Sequence, residues 1–341
     1  EINTCIACNQ ACLDHIFSGK LTSCLVNPRA CHETTLSITK AEFPKRIAVV
    51  GAGPAGMACA TTAAERGHDV TLFDAADRIG GQFNIAKQIP GKEDFNETLR
   101  YFGRRIETSG VRLRLNTRAD VAALKAEGFD HVVLATGISP RKPAIPGIES
   151  DKVATYLDII EGRKVAGKSV AIIGAGGIGF DVGEFLTHAH DERSESERFN
   201  SEWGIDPTYA SRGGLKPAVD EKAPRKVYLL QRKESKVGDG LAKTTGWIRR
   251  TLLKKRGVTM IPGVSYERID EAGLHITVGG EAKTLPVDTI VVCAGQESRR
   301  ELKAPLEAAG IPVTLIGGAD VAAELDAKRA IDQGTRVAAA L

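Results

Sequence analysis

Four cysteines stand close together near the start of the sequence, with the spacing C-x2-C-x3-C-x11-C. They are Cys5, Cys8, Cys12 and Cys24. Structural zinc sites usually pair two C-x2-4-C units across a longer gap, which differs from this compact triple and distant fourth. The triple suits a [4Fe–4S] cube, in which each cysteine binds iron at a different corner. We therefore predict a [4Fe–4S] site, with zinc or unliganded thiols as the alternatives. Cys31 could replace Cys24, but we expect it to be a nearby structural thiol.

A glycine-rich turn follows the first apolar run, "IAVV", and opens a helical pattern. Gly51, Gly53 and Gly56 form G-x-G-x-x-G, in which the first glycine permits the turn, the second admits a pyrophosphate and the third packs helix on strand. Asp74 ends the next predicted strand, 18 residues after Gly56, where a carboxylate accepts hydrogen bonds from a ribose. The pattern predicts a dinucleotide site.

FAD is the dinucleotide that we expect at this first turn. The downstream "GGQFNIAKQIPG" and the closing "IGGAD" favour FAD over NAD. In flavoenzymes with two dinucleotide sites, an acid in such a closing turn typically contacts the ribityl chain, and Asp320 is predicted to do so. The alternative for Asp320 is a helix N-cap.

A second glycine turn, formed by Gly174, Gly176 and Gly179, repeats the pattern. The strand that should supply its ribose-binding acid, "KVYLLQRK", ends instead in Arg232 and Lys233. Cations at that point favour the 2′-phosphate of NADPH over NADH, and a solvated basic strand end is the alternative. The polar segment 188–225 separates this strand from the turn, and we expect it to be a solvated excursion.

The order of apolar runs and turns predicts an α/β protein. Two βαβ units indicate two Rossmann-like dinucleotide-binding domains with parallel sheets, the second inserted in the first. A small cysteine-rich segment precedes them, and the sequence holds no TIM barrel. The predicted parts are 1–40 for the cluster, 41–150 and 301–341 for FAD, and 151–300 for NADPH.

Composition excludes several other classes of function. The net charge of +3 with no basic block argues against nucleic acid as a partner. No apolar run reaches about 18 residues, and no signal peptide is present, so we expect no membrane span and a cytoplasmic location. Five of the seven cysteines lie within the first 31 residues, as metal or redox chemistry in a reducing compartment requires. Cys59 and Cys293 lie in core patterns.

Several stretches together resemble the C-terminal half of the bacterial NADPH-dependent 2,4-dienoyl-CoA reductase family. They are "CIACNQACLDHIFSGKLTSCLVNPRACHE", "VGAGPAGMACA", "IGGQFNIAKQIPGKEDF", "IIGAGGIGFD" and "LAKTTGWIRRTLLKKRGVTMIPGVSY". The cysteine set with "NPRACHE" is shared with related enzymes such as trimethylamine dehydrogenase. The resemblance covers essentially the whole chain. It implies electron flow from NADPH to FAD, then to [4Fe–4S], then to FMN, which reduces a 2,4-dienoyl-CoA in fatty-acid β-oxidation.

The resemblance also implies roles for individual residues. The cluster ligands would be Cys5, Cys8, Cys12 and Cys24. The FAD contacts would be Gly51, Gly53, Asp74 and Gln82, with the backbone of Ala119 at the adenine. The NADPH contacts would be Gly176, Gly179, Arg232 and Lys233.

One departure from the family affects the functional prediction. The family's FMN-binding (β/α)8 barrel precedes the cysteine motif and carries the substrate pocket and the proton donor, whereas this sequence starts at the cysteines. We therefore expect a fragment that acts by itself at most as an NADPH diaphorase, and we assign no catalytic residue. The alternatives are an amine-dehydrogenase relative with structural ADP in the second site, and a stand-alone electron-transfer module that docks to a separate flavoprotein. For the segment 188–225, contact with the barrel is the alternative to a solvated excursion.

Overall fold

The computed structural model describes residues 1–189, 192–323 and 326–341. The described chain divides into two compact units. Unit 1 comprises Glu1–Arg141, Ala242–Thr244 and Gly295–Leu341, and unit 2 comprises Lys142–Leu241 and Thr245–Ala294. None of the described helices is both long enough and apolar enough to cross a membrane.

The described residues form short strands and helices in alternation. The strands are β1 (Arg46–Val50), β2 (Asp69–Phe73), β3 (Arg112–Arg114), β4 (His131–Leu134), β5 (Ile138–Pro140), β6 (Val153–Thr155), β7 (Ser169–Ile173), β8 (Lys226–Leu230), β9 (Thr259–Ile261), β10 (Val264–Asp270), β11 (Gly273–Val278), β12 (Glu281–Leu285), β13 (Thr289–Val292), β14 (Gln296–Ser298) and β15 (Val313–Leu315). The helices are α1 (Leu13–Ile16), α2 (Pro54–Glu65), α3 (Phe83–Ala86), α4 (Phe95–Ser109), α5 (Val121–Ala126), α6 (Tyr156–Ile160), α7 (Gly177–Thr187), α8 (Glu195–Trp203), α9 (Gly246–Lys255), α10 (Lys303–Ala308) and α11 (Ala327–Ala340), with 3-10 turns at Arg212–Gly214 and Gly317–Ala319.

Unit 1 is built on a parallel sheet of order β15-β4-β1-β2-β3. Its central strands are continuous apolar runs because both faces of the sheet are covered. One face packs against α2, α4, α11 and the N-terminal segment, and the opposite face packs against α5 and α10. The C-terminal strand β15 returns to β4, as the sequence predicts.

Two small residues allow α11 and the turn before it to approach α2 closely. A Cβ atom at Gly334 would lie 2.2 Å from the carbonyl oxygen of Ala55. A Cβ atom at Gly317, whose φ is +61°, would lie 2.8 Å from the Cβ of Ala55. The closing turn therefore lies against the first turn of α2.

The cysteine-rich segment packs onto the rest of unit 1 and has little core of its own. Leu25 and Val26 are buried in the same apolar cluster as Met57 and Cys59 of α2, and Ile6 packs against that cluster. Burial raises the pKa of Cys59 to about 12, as expected for a core thiol. Arg100 of α4 donates a hydrogen bond to the carbonyl oxygen of Ile2 at 2.9 Å.

Unit 2 contains the second parallel sheet, of order β6-β13-β7-β8-β9, and an antiparallel meander of β10, β11 and β12. It is inserted in unit 1, because the chain of unit 1 resumes at Gly295. The short antiparallel pair of β5 and β14 belongs to unit 1. The predicted α/β class with two Rossmann-like parallel sheets is confirmed, and the described residues form no TIM barrel.

The segment 188–225 is not simply the solvated excursion that its composition suggests. Ser194 and Glu197 form a capping box at the start of α8. On the inner face of α8, Glu202 accepts two hydrogen bonds from buried Arg256, at 3.0 and 3.1 Å. This ion pair anchors α8 to the residue that follows α9, and part of the predicted excursion, residues 190–191, lies outside the described residues.

Candidate functional site

The first glycine turn connects β1 to α2 in unit 1. A Cβ atom at Gly51, whose φ is +111°, would lie 2.3 Å from the carbonyl oxygen of Ala135, and one at Gly56 would lie 1.8 Å from the carbonyl oxygen of Gly51. For a Cβ atom at Gly53 the nearest neighbour would be the Cα of Gly81, at 4.0 Å. The protein's own packing therefore explains two of the glycines but not Gly53, which leaves backbone open at the N-terminus of α2, where anions bind.

Asp74 follows β2 and points back at this turn. One carboxylate oxygen accepts a hydrogen bond from the backbone N–H of Ala52 at 2.6 Å, and the other accepts one from Ala76 at 2.8 Å. An ionised carboxylate offers about four acceptor sites. The carboxylate is thus held in place and retains acceptor capacity for hydroxyl groups.

Gln82 and Ala119 lie on segments that are tied to these same residues. The N–H of Gly80 donates to the carbonyl oxygen of Ala52 at 2.8 Å, so the turn leading to Gln82 lies against the glycine loop. The N–H of Thr117 donates to the carbonyl oxygen of Asp74 at 2.8 Å. Half-buried Ala119, two residues later, packs against the apolar cluster that contains Phe73.

Asp320 ends the 3-10 turn that lies against α2. Its carboxylate accepts a hydrogen bond from Gln333 of α11 at 2.7 Å, and the side-chain oxygen of Gln333 accepts one from the N–H of Gly317, also at 2.7 Å. The N-cap of α11 is Asp326, so the alternative assignment of Asp320 as that N-cap is wrong. Asp320 also borders an open cavity of about 540 Å³ along α11.

The second glycine turn connects β7 to α7 in unit 2 and repeats the geometry of the first. A Cβ atom at Gly174, whose φ is +108°, would lie 2.4 Å from the carbonyl oxygen of Cys293, and one at Gly179 would lie 1.9 Å from that of Gly174. At Gly176 nothing lies within 4 Å. The open middle glycine again marks backbone that a pyrophosphate can approach.

Arg232 and Lys233 follow β8, the strand next to β7, at the carboxyl edge of the sheet. Both are exposed, and within the described residues neither side chain forms a hydrogen bond or an ion pair. Their loop is nevertheless ordered by its backbone, because the carbonyl oxygen of Lys233 accepts hydrogen bonds from Gly263 and the side chain of Gln231, both at 3.0 Å. Two exposed cations therefore lie at the same edge of the sheet as the second glycine turn.

The four predicted cluster ligands surround one small cavity in the N-terminal segment. Its lining comprises Cys5, Cys8, Cys12 and Cys24 together with Ile6, Ala7, Asn9, Ala11, Leu25 and Val26. Burial raises the pKa of the Cys8 thiol, and proximity to the other three cysteines raises it further. The volume of about 50 Å³ exceeds what one water needs. The exposed Cys31 does not line this cavity.

The backbone around this cavity adopts an unusual conformation. Ala7 and Asn9, on either side of Cys8, have φ values of +50° and +58°, a left-handed region that is unfavourable for alanine. The N–H of Ala7 donates to the sulfur of Cys5 at 3.4 Å. Such strain is typical of ligand-binding loops.

The described part of the chain contains no group of three or more His, Cys, Asp or Glu side chains already arranged around a single metal ion. A tetrahedral zinc site requires all four sulfurs about 2.3 Å from one ion, whereas a cube binds each cysteine at a separate iron. Four cysteines around one cavity are the donor set that a cube requires.

Some contacts of the site are not evident from the sequence. Gln333 fixes Asp320 from 13 residues away, and Lys328 contacts His15 across 313 residues. Asp14 of α1 accepts hydrogen bonds from the N–H and hydroxyl of Thr244, at 2.9 and 2.8 Å. The stretch that contains Thr244 contributes to the resemblance, but its spacing gives no sign of this contact.

Similar proteins are about twice as long as this chain. A "metal reductase" of Desulforamulus reducens is 32% identical over 331 residues, which cover 94% of this chain and 48% of that protein. A "bilirubin reductase" of Mediterraneibacter gnavus is 28% identical over 98% of this chain and 46% of that protein. The chain thus spans about half the length of these relatives.

Solved structures agree with the fold. A 2-naphthoyl-CoA reductase matches with a TM-score of 0.83 at 29% identity, over 99% of this chain and 46% of that one. A histamine dehydrogenase from Rhizobium sp. 4-9 matches with a TM-score of 0.80 at 22% identity, over 100% of this chain and 48% of that one, which supports the fold alone. The sequence profile for "pyridine nucleotide-disulphide oxidoreductase" matches residues 45–330. Because this match covers more than half of the chain, the chain belongs to this family of FAD- and NAD(P)H-dependent oxidoreductases.

Proposed function

We propose that this chain is the NADPH-oxidising electron-transfer module of a 2,4-dienoyl-CoA reductase, with FAD and a [4Fe–4S] cluster as its resident cofactors. One observation carries the proposal: four cysteines surround a single cavity whose wall, Leu25 and Val26, is buried in the same apolar core as α2. Helix α2, which begins at the FAD glycine turn, therefore packs against the cysteine segment within unit 1.

The residues of unit 1 bind FAD from three directions. The open backbone at Gly53 receives the pyrophosphate at the N-terminus of α2. Asp74, fixed by Ala52 and Ala76, accepts hydrogen bonds from the ribose at one end, with the backbone of Ala119 near the adenine. Asp320, fixed by Gln333, does the same for the ribityl hydroxyls, and Gln82 contacts the flavin from the turn against the glycine loop.

The residues of unit 2 select the phosphorylated nicotinamide. Gly176 admits the pyrophosphate, and the charges of Arg232 and Lys233 are free to bind a 2′-phosphate. Guanidinium and ammonium groups bind phosphate by charge-assisted hydrogen bonds of roughly 1.5–3 kcal/mol each. NADH offers only hydroxyl groups to the same cations.

The cysteine segment supplies the exit for electrons. Cys5, Cys8, Cys12 and Cys24 serve as thiolate ligands, and the N–H of Ala7 compensates part of the charge on Cys5. When bound, the flavin accepts an electron pair as hydride and the cluster carries single electrons, so together they convert two-electron transfer into one-electron transfer.

The substrate and partner are proposed from similarity. The partner is an FMN-binding barrel, in the same longer polypeptide or as a separate protein, and 2,4-dienoyl-CoA reacts only there. The 2-naphthoyl-CoA reductase is named for a CoA thioester substrate, which supports an acyl-CoA as the final acceptor. We place the protein in the cytoplasm, where free thiols persist.

Anaerobic flavin reduction tests the proposal. NADPH should bleach the bound flavin at least tenfold faster than NADH at equal concentration. The double variant Arg232→Ala/Lys233→Ala should lose this preference by weakening NADPH binding. Lys168→Ala, at the amino edge of the same sheet, is the matched control and should retain it. Equal rates with both nucleotides in the wild type would contradict the NADPH assignment. If neither NADPH nor NADH reduced the flavin, the proposed role as the NADPH-oxidising module would be contradicted.

A further inference from the structure

A lysine from the C-terminal helix reaches the cysteine segment. The ring nitrogen Nε2 of His15 in α1 lies 3.2 Å from Nζ of Lys328 in α11. The other nitrogen, Nδ1, lies 2.8 Å from the carbonyl oxygen of Leu21. Because a carbonyl oxygen can only accept, Nδ1 carries the proton, and Nε2 of the neutral ring accepts from the lysine. His15 thus holds the Lys328 ammonium in a defined place.

Lys328 is half-buried, and within the described residues its ammonium forms no ion pair with a carboxylate. Three carboxylates lie on or next to α1 and α11, near Lys328 in sequence or fold, and each has another partner. Asp14 is engaged by Thr244, Asp326 caps α11 through the N–H of Arg329, and Asp332 accepts a hydrogen bond from Arg336. Lys243 donates to the carbonyl oxygen of Phe17 at 3.0 Å.

Cys12 is the residue immediately before α1. His15 follows it by three residues, which is about 5 Å along a helix. The ammonium that His15 holds consequently lies on the order of 10 Å from the cysteine cavity. A four-thiolate cluster would place negative charge within Coulombic reach of this ammonium.

We propose that Lys328, positioned by His15, is an electrostatic tuning residue that raises the reduction potential of the cluster held by Cys5, Cys8, Cys12 and Cys24. The inference rests on the proposed function. One electron from the reduced flavin makes the cluster one unit more negative, with no bond formed or broken, and a nearby fixed cation favours that product. Net charge around a cluster is one of the main determinants of its potential.

The size of the effect follows from Coulomb's law. A unit charge about 10 Å away in an effective dielectric of about 20 changes a one-electron equilibrium by about tenfold, which corresponds to about 59 mV. The ammonium of Lys243 is exposed and therefore more screened, so its contribution should be smaller.

Redox titration of the holoprotein, followed by the EPR signal of the reduced cluster, tests the inference. Lys328→Met should lower the reduction potential by an amount that corresponds to about a tenfold change in the equilibrium constant. Lys328→Glu should lower the potential by about twice that amount. Lys328→Arg should remain near the wild type. His15→Gln can keep both hydrogen bonds and should also be near the wild type, whereas His15→Leu should behave like Lys328→Met. Lys303→Met, on α10 against the opposite face of the sheet, is the charge control.

The outcomes separate this inference from the proposed function. The inference is supported if the EPR line shape of the cluster stays unchanged while its reduction potential falls from wild type to Lys328→Met to Lys328→Glu. A purely structural role of Lys328 would not make the potential follow the sign of the side-chain charge. Potentials of Lys328→Met and Lys328→Glu equal to that of Lys303→Met overturn the inference while leaving the cluster intact. A wild-type protein without iron overturns the proposed function itself. If Lys328→Met does not fold, His15→Leu against His15→Gln gives the same test.

Discussion

Asp74 and Ala52 are joined by a hydrogen bond of 2.6 Å between a carboxylate oxygen and a backbone N–H. The contact links the acid at the end of β2 to the glycine turn at the end of β1. It leaves the remaining acceptor sites of the carboxylate beside the glycine turn. The acid therefore stabilises the turn, and in the proposed function it also binds the ribose of FAD.

Asp74→Asn should weaken FAD binding by about tenfold or more, since an amide accepts fewer hydrogen bonds than a carboxylate and carries no charge. Titration of the apoprotein with FAD, followed by flavin fluorescence, measures the loss. Asp77→Asn alters an exposed acid three residues away and should bind FAD as the wild type does. Equal affinities for the two variants would remove Asp74 from the site.

Gly53→Ala and Gly56→Ala should fail in different ways. At Gly56 a Cβ atom meets the carbonyl oxygen of Gly51 at 1.8 Å, so alanine there should lower the free energy of unfolding by about 3 kcal/mol or more. At Gly53 the nearest atom is 4.0 Å away, so alanine should fold normally but lose FAD. Thermal unfolding of the apoproteins and flavin content of the purified proteins distinguish the two. A large loss of stability in Gly53→Ala would contradict this division of roles.

The buried pair of Glu202 and Arg256 should be sensitive to the loss of one partner. Glu202→Gln leaves the Arg256 guanidinium buried without its counter-charge, which should cost about 3 kcal/mol of stability. Replacing both residues, by Glu202→Leu with Arg256→Met, should recover part of that loss. Urea unfolding of the three proteins gives the comparison. Exposed Glu195→Gln in the same helix serves as the control, and a similar small effect for both glutamates would show that the pair contributes little.

His68 should make the stability of unit 1 depend on pH. Its Nδ1 accepts a hydrogen bond from the N–H of Lys45 at 3.0 Å, and burial, Arg66 and Lys45 lower the pKa of His68. A group whose folded pKa is lowered binds more protons when unfolded. Its contribution to stability is therefore fully present above the unfolded value of about 6.5 and is lost as the pH falls below it.

His68→Asn can accept the same hydrogen bond through its amide oxygen without titrating. As the pH is lowered from about 8 to about 5, the melting temperature should therefore fall less steeply for this variant than for the wild type. Burial and Lys45 also lower the pKa of His131, so some slope should remain. Parallel curves for the two proteins would contradict the role of His68.

Local patterns in the sequence were enough to predict the parts of the fold that depend on neighbouring residues. The third glycine of each turn, Gly56 or Gly179, is dictated by a backbone clash with the first glycine of the same turn. Apolar runs predict buried parallel strands because both faces are covered. The return of the C-terminal strand to the first sheet follows from the order of these units.

Other features depend on contacts between distant segments, which no local pattern records. Gln333 fixes Asp320 only because α11 packs on α2, and Lys328 reaches His15 across 313 residues. In the segment 188–225, Glu202 has the sequence signature of a surface charge. Its burial requires Arg256 from another helix end, so polar composition alone could not predict this contact.

Metal and sulfide analysis of anaerobically prepared protein tests the central claim most directly. The account predicts roughly four iron atoms and four acid-labile sulfides per chain, lost together when Cys5, Cys8, Cys12 or Cys24 is replaced by serine, and retained in Cys31→Ser. Stoichiometric zinc without sulfide, or a protein that binds no iron under these conditions, would contradict it.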